Sequence, residues 1–301
     1  MRTILFRADS SSTIGTGHIM RDLVLAKQFQ DANIIFAVQD LSGNINYKIK
    51  EAGYQVEMLQ SNRLEDLLPL VEKYDVSMVV LDHYGIDYAF EKRLKEKTGV
   101  KLFVLDDTYE KHHCDILLNH NIYADAAHYK GLVPDQCELR CGEKYILLRD
   151  EFIKAKQAKE SLKDKRTKTV FIAMGGSDIA NLNPKILKVL EQFENVQVDM
   201  VTTTANQYLN ALEQLVEDKP WVNLHINSSH IAKLMAESDL AIVTPSVTMN
   251  EVWYMQIPFI AIKVADNQLY MYQYLKEKNM NVIDSFNENI LERHLEKFLG
   301  D

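Results

Sequence analysis

The chain has 301 residues, 47% of them hydrophobic, and carries 34 Lys and Arg against 43 Asp and Glu for a net charge of -9. That length exceeds one ordinary core and predicts two domains of about 150 residues each. The acidic balance argues against a nucleic-acid partner, which needs clustered Lys and Arg. No apolar run approaches the roughly 18 residues of a membrane span, and the N-terminus reads as a strand without a signal-peptide core, so a cytoplasmic protein with no membrane partner is expected, and the composition permits a monomer.

The opening strand, Thr3 to Phe6, runs into Arg7-Ala8-Asp9-Ser10-Ser11-Ser12-Thr13-Ile14-Gly15-Thr16-Gly17-His18-Ile19-Met20-Arg21-Asp22, with a helix beginning near Gly17. Polar and flexible residues are thus concentrated at the carboxyl end of a strand, where open α/β sheets bind ligands. Gly15 and Gly17 let the backbone approach a ligand, and the helix start offers N–H groups to an anion. His18 falls in the first helical turn, where the helix dipole favours neutral imidazole, the form that accepts a proton. A turn with a capping histidine accounts for the same residues, but Asp9, the three serines and Arg21 are costly polarity for a plain turn.

Apolar runs then alternate with amphipathic stretches. Strands are predicted at Asn33–Val38, Tyr54–Leu59, Ser77–Leu81 and Val100–Leu105, and helices at Leu64–Tyr74 and Tyr88–Lys97. This alternation means βαβ units and a parallel sheet. Two strands end in acids, at Leu81-Asp82-His83-Tyr84-Gly85 and Leu105-Asp106-Asp107, on the rim where the opening loop emerges. His83 and Tyr84 also read as a satisfied loop histidine and a half-buried aromatic, and the aspartates as turn caps. The segment Cys114 to Tyr145 reads as one last strand with connecting turns. Three cysteines make no disulfide framework, and Cys137 and Cys141 near His112-His113-Cys114 lack regular metal-ligand spacing, so no metal site is expected.

Glu151 to Lys168 is Lys-rich with little apolar periodicity, a solvated helix or linker. Residues 1–150 are therefore expected to form one Rossmann-like domain, 151–168 the linker and 169–301 a second, whose last helix is able to pack back on the first. A new strand, Thr169–Ala173, leads into Met174-Gly175-Gly176-Ser177-Asp178 and a helix starting near Leu182. The alternation continues through Gln197–Thr202, Gln207–Glu217, Val222–Ile226 and Ile231–Glu237. The fold class is α/β, with two doubly wound Rossmann-like domains facing a central cleft.

Further polar loops follow at Asn227 to Met235, which includes His230 and Ile231, and at Thr244-Pro245-Ser246-Val247-Thr248-Met249-Asn250-Glu251. In the latter a strand passes through hydroxyl residues into a helix start, which suits phosphate. Glu251 has the character of a ribose-diol acceptor, and Thr248 with Glu251 also matches a capping box. Asn267 and Gln268 follow the predicted strand Pro258–Val264.

Taken together, Phe6 to Ser12, Ile14 to Ile19 and Arg21 to Leu23, with Asp82 to Gly85, His112 to Asn119, Met174 to Asp178 and His230 to Met235, resemble the UDP-2,4-diacetamido-2,4,6-trideoxy-β-L-altropyranose hydrolases of pseudaminic acid biosynthesis. The resemblance spans nearly the whole chain and is specific, because several spaced motifs agree in order. More distantly, the chain is similar to two-Rossmann-domain (GT-B type) glycosyltransferases. The resemblance implies metal-free, cofactor-free hydrolysis of a UDP-sugar, with chemistry in the first domain and UDP on the second. The catalytic histidine maps onto His18. The sugar would meet Asp9, Gly17, Tyr84, Asn267 and Gln268, and UDP would meet Gly175, Gly176, Ser177, His230, Ile231, Ser246, Val247, Thr248 and Glu251. Thr16 stands where related chains can carry an aromatic, and Ser177 where threonine can occur. Sugar transfer to an acceptor, or nucleotide-sugar binding without turnover, would suit the same fold.

Overall fold

The computed structural model describes residues 2–159 and 167–300. The chain divides into two units, Met1–Leu147 and Leu148–Asp301. The first unit holds β1 (Arg2–Ala8), α1 (Gly17–Ala26), β2 (Ala32–Gln39), α2 (Asn46–Glu51), β3 (Gln55–Leu59), α3 (Leu64–Lys73), β4 (Val76–Asp82), α4 (Tyr88–Thr98), β5 (Lys101–Leu105), β6 (Ile116–Asn119) and β7 (Glu138–Cys141). Its strands form one parallel sheet in the order β3-β2-β1-β4-β5-β6-β7.

Strand periodicity explains how this sheet is covered on both faces. Ile4, Phe6 and Ala8 of β1 join Ile34, Phe36 and Val38 of β2 and Met78 and Val80 of β4 in one core layer. The intervening residues Leu5, Ile35, Ala37, Val79 and Leu81 join the layer on the opposite face. Side chains that alternate between two buried faces produce near-continuous apolar runs, and each fully buried Ile, Leu or Phe contributes about 1.5–3 kcal/mol.

The second unit holds α5 (Asp150–Lys159), β8 (Lys168–Ala173), α6 (Asn183–Leu190), β9 (Val196–Thr202), α7 (Leu209–Glu217), β10 (Val222–Ile226), α8 (Ile231–Ala236), β11 (Leu240–Val243), α9 (Val247–Met255), β12 (Phe259–Ile262), α10 (Leu269–Glu277), β13 (Val282–Ile283) and α11 (Glu288–Leu299). Its sheet is also parallel, ordered β10-β9-β8-β11-β12-β13. The last helix buries Leu291 and Leu295 in the core of its own unit, against α6.

In both sheets the first strand of the unit is flanked by strands that wind in opposite directions. The strand order therefore reverses between β1 and β4 and again between β8 and β11, and such reversal points open a crevice at the strands' carboxyl ends. No helix among the described residues is long and apolar enough to cross a membrane.

Two expectations change. Cys114 to Tyr145 contains two strands, because β7 adds an edge strand whose four residues are too few for its alternation to stand out. The short helix α2 appears where only Ile49 and Asn46 are buried, too few positions to show a period. The segment expected as a helix or linker begins as α5, anchored by the fully buried Phe152 and by Lys156, whose Nζ donates to the Tyr254 carbonyl at 2.6 Å. Residues 160–166 of that linker lie outside the described residues.

Candidate active site

The loop after β1 is built from its own hydroxyls. The Ser11 Oγ accepts from the amides of Thr13 (3.2 Å) and Ile14 (2.9 Å), and Ser11 and Gly15 exchange two backbone hydrogen bonds. Gly15 closes this turn at φ +84°, which a side chain would strain. The turn delivers Gly17 and His18 into the first turn of α1, and His18 is only 6% exposed.

His18 meets the end of β4. Its Nδ1 lies 2.7 Å from Asp82 Oδ1, and Arg21, one turn along α1, donates from Nε to Asp82 Oδ2 at 2.6 Å. The Arg21 charge, with hydrogen bonds from Arg21 and His18, holds the Asp82 carboxyl far below the usual range against the cost of burial, so it is an acceptor. That assigns the proton to Nδ1, even though Arg21 Nη2 also comes within 3.2 Å of it, and leaves Nε2 as the histidine's basic lone pair. Arg21 Nη1 reaches on to Asp107 at 3.0 Å, and the Tyr84 hydroxyl donates to the same carboxylate at 2.9 Å. The Tyr84 ring meets His18 edge-on at 4.9 Å between centroids and is itself 62% exposed. His18, Arg21, Asp82, Tyr84 and Asp107 thus form one cluster at the β1/β4 reversal and its neighbouring strand.

The remaining rim acids are structural. Asp106 caps its turn through the amides of Thr108 and Tyr109 and accepts from the buried Tyr129 hydroxyl at 2.6 Å. Asp9, expected at the sugar, is tied into the fold by its neighbours. Its fully buried carboxylate pairs with Arg7 at 2.6 Å, accepts the Gln39 amide at 2.7 Å and lies 3.2 Å from His83 Nε2, and the net effect is a carboxyl held well below its ordinary range. His83 accepts the Gly85 amide at Nδ1, so it too is satisfied, and a Cβ at Gly85 would come 2.8 Å from the His83 ring.

In the second unit the loops after β8, β11 and β12 emerge on one rim. Gly175 turns at φ +83°, and Gly176 packs so closely on Thr203 that a Cβ would sit 2.9 Å from its methyl. The Gly176 carbonyl points inward to Thr203 N and the Thr202 and Thr203 hydroxyls. Asp178 supports the turn by accepting from the amides of Leu182 and Asn183. After β11, Ser246 stands at the N-cap of α9 and shares a hydroxyl hydrogen bond with Thr244 at 3.0 Å. Val247 and Thr248 therefore occupy the first turn, whose amides have no helical acceptor. This excludes the capping box, since Thr248 lies inside the helix.

Glu251, one turn further, lies 3.2 Å from Arg149; burial pushes its carboxyl up to about 7, with Arg149 opposing. His230 is exposed at the N-cap of α8 and precedes Ile231. Asn267 is exposed, whereas Gln268 is buried and its carbonyl oxygen accepts the Val264 amide at 2.9 Å, so that oxygen supports the loop. Among the described residues, no group of three or more His, Cys, Asp and Glu is placed to hold a metal ion.

The sequence reading placed Asp82 on the rim but did not join it to His18. The missing signal was strand order: only once β4 is known to lie beside β1 does the acid ending β4 face the helix that follows β1.

No family model matches the chain. It is 41% identical over 279 residues, covering 93% of this chain and 98% of the relative, to the UDP-2,4-diacetamido-2,4,6-trideoxy-β-L-altropyranose hydrolase of Campylobacter jejuni. Among solved structures it is similar to Acinetobacter baumannii MurG, with a TM-score of 0.69 at 13% identity over 99% of this chain and 90% of that one. It is also similar to Anabaena HepE in complex with UDP-glucose, with a TM-score of 0.60 at 14% identity over 99% and 89%. At such identities the structural likeness shows the fold alone, the two-Rossmann-unit GT-B type that the resemblance implied. The identity across almost the full length of both sequences shows more: the chain belongs to the UDP-2,4-diacetamido-2,4,6-trideoxy-β-L-altropyranose hydrolase family.

Proposed function

We propose that this protein is a hydrolase that cleaves a UDP-2,4-diacetamido-2,4,6-trideoxyhexose to UDP and the free sugar, in pseudaminic acid biosynthesis. The observation that carries the reading is the His18–Asp82 pair, with Nδ1 bound at 2.7 Å by an ionised, buried carboxylate. Such a pair fixes the tautomer, keeps Nε2 available as a base and stabilises the imidazolium that forms when it acts. Nε2 takes a proton from water as the water oxygen bonds to the anomeric carbon. The bond from that carbon to the diphosphate oxygen breaks, and UDP leaves with the electron pair. Attack from the face opposite UDP inverts the anomeric centre.

The second unit is assigned the UDP moiety. The amides of Val247 and Thr248, together with Ser246 and the Gly175-Gly176-Ser177 turn, offer donors for the diphosphate charge. Glu251 is assigned the ribose diol, and His230 and Ile231 further nucleotide contacts. On the sugar side the assignments are Gly17, Tyr84 and Asn267, with Gln268 holding its loop. This chemistry calls on no cofactor and is assigned to the cytoplasm.

Incubating the protein with a panel of UDP-2,4-diacetamido sugars, and reading products by mass spectrometry, tests the reading. UDP and free sugar without any acceptor support it; product only when an acceptor is supplied, or no product, overturns it in favour of transfer or binding alone. His18→Asn should lower the rate by about 10²–10⁴-fold with UDP affinity retained.

A further inference from the structure

Behind the His18–Asp82 pair lies a second acid that the proposed chemistry does not use. Asp22 sits four residues after His18 on α1, a spacing that puts both side chains on one face of the helix. It has no solvent exposure, and among the described residues neither carboxyl oxygen receives a hydrogen bond. The neighbouring cation Arg21 directs its guanidinium to Asp82, Asp107 and His18. The Asp22 carboxyl lies within hydrogen-bonding reach of Asp82, whose charge opposes a second one. The buried His120, near enough to feel Arg21 and Asp82, has no partner at either nitrogen among the described residues, and burial lowers its pKa to about 3, so it brings no positive charge.

We infer that Asp22 is a neutral carboxylic acid that donates its proton to Asp82, and so acts as a positioning residue for His18. A buried carboxylate without a donor is far costlier than its protonated form. Two carboxyls in contact cannot both ionise, and here Asp82 keeps the charge because Arg21 and His18 both face it. Burial and the Asp82 charge accordingly raise the Asp22 carboxyl well above its ordinary range. The result is a chain from Nε2 of His18 through Asp82 to the O–H of Asp22. That O–H fixes Asp82 from behind, as its bond to His18 requires, and supplies a donor without adding charge.

Two measurements on the whole protein test this, and only the second rests on the hydrolase reading. In infrared difference spectra at neutral pH, parent minus Asp22→Asn should show the carbonyl stretch of a protonated carboxylic acid, shifted in heavy water; a carboxylate band in its place overturns the assignment. In turnover of the UDP-sugar, Asp22→Asn retains an N–H donor and should keep kcat within about threefold of the parent, whereas Asp22→Val should lose roughly tenfold or more in kcat with KM unchanged. Equal kcat in Val and Asn variants overturns the positioning role. A parent without hydrolysis would defeat the proposed function, while the infrared band would still decide the proton on Asp22. If Asp22→Val does not fold, Asp22→Leu and Asp22→Ala replace it, and Asn rescue of their loss remains the criterion.

Discussion

Replacing Asp82 by Asn isolates charge from shape. The carboxylate receives His18 Nδ1 at 2.7 Å and Arg21 Nε at 2.6 Å, both nearly buried. An asparagine fills the same volume but supplies no negative charge to the imidazolium formed as His18 takes a proton. Two unit charges centred about 4 Å apart at an effective dielectric of about 20 interact by about 4 kcal/mol. If most of that attraction is present only in the transition state, its loss lowers kcat by roughly 10³-fold. Substrate and UDP affinity should be nearly unchanged, because neither step charges His18. Single-turnover release of UDP reads the rate, and UDP titration of the same sample reports an intact nucleotide site. Arg21 keeps its contact with Asp107 at 3.0 Å, but removing one member of a buried charge pair costs about 3–5 kcal/mol, so the comparison belongs well below the melting temperature. A variant with kcat within tenfold of the parent, and normal UDP binding, would refute the claim that Asp82 supports the base.

Glu251→Ala should weaken UDP binding by about 1.5–3 kcal/mol if the carboxylate accepts the ribose hydroxyls. Because burial places the Glu251 pKa near 7, parental affinity should rise as pH increases through that value, whereas the Ala variant should show no such rise; calorimetric titration at about pH 6 and pH 8 compares them. His112, flanked by Glu91 at 2.7 Å and Asp106 at 3.7 Å, has its pKa raised from 6.5 to about 9. Its stabilisation is complete below about pH 6.5 and is lost as pH rises through about 9, so denaturant unfolding should show the parent losing about 3 kcal/mol more than His112→Gln across that window. Asp9→Asn should destabilise the first unit by about 3–5 kcal/mol by leaving Arg7 buried without its partner, with KM for the UDP-sugar little changed when assayed cold. A raised KM without lost stability would return Asp9 to the sugar site.

The sheet architecture was legible because doubly covered strand segments such as Ile4 to Phe6 and Met78 to Leu81 have no polar face to obscure them. Elements with a single buried face and few residues, α2 and the edge strand β7, gave no countable period. At the site, the polar loop containing His18 was visible as cost without structural return, but whether an acid is a ligand or a strut depends on its partners. Asp106 is held by Tyr129, which reaches it from a helical turn distant in sequence, and Asp9 pairs with Arg7 two residues before it. Asp82 emerged as the histidine's partner only through the order of strands, a long-range property that local spacing does not encode. The capping box at Thr248 failed because the helix begins two residues earlier, with Ser246 at its cap.

The central claim is that water, activated by His18, attacks the anomeric carbon. One turnover in water enriched in heavy oxygen, quenched at once and read by mass spectrometry, tests it directly. The account predicts one labelled oxygen in the free sugar and none in UDP, because the bond from the anomeric carbon to the diphosphate oxygen is the one that breaks. Label in the UDP phosphate, with an unlabelled sugar, would place the attack at phosphorus and contradict it.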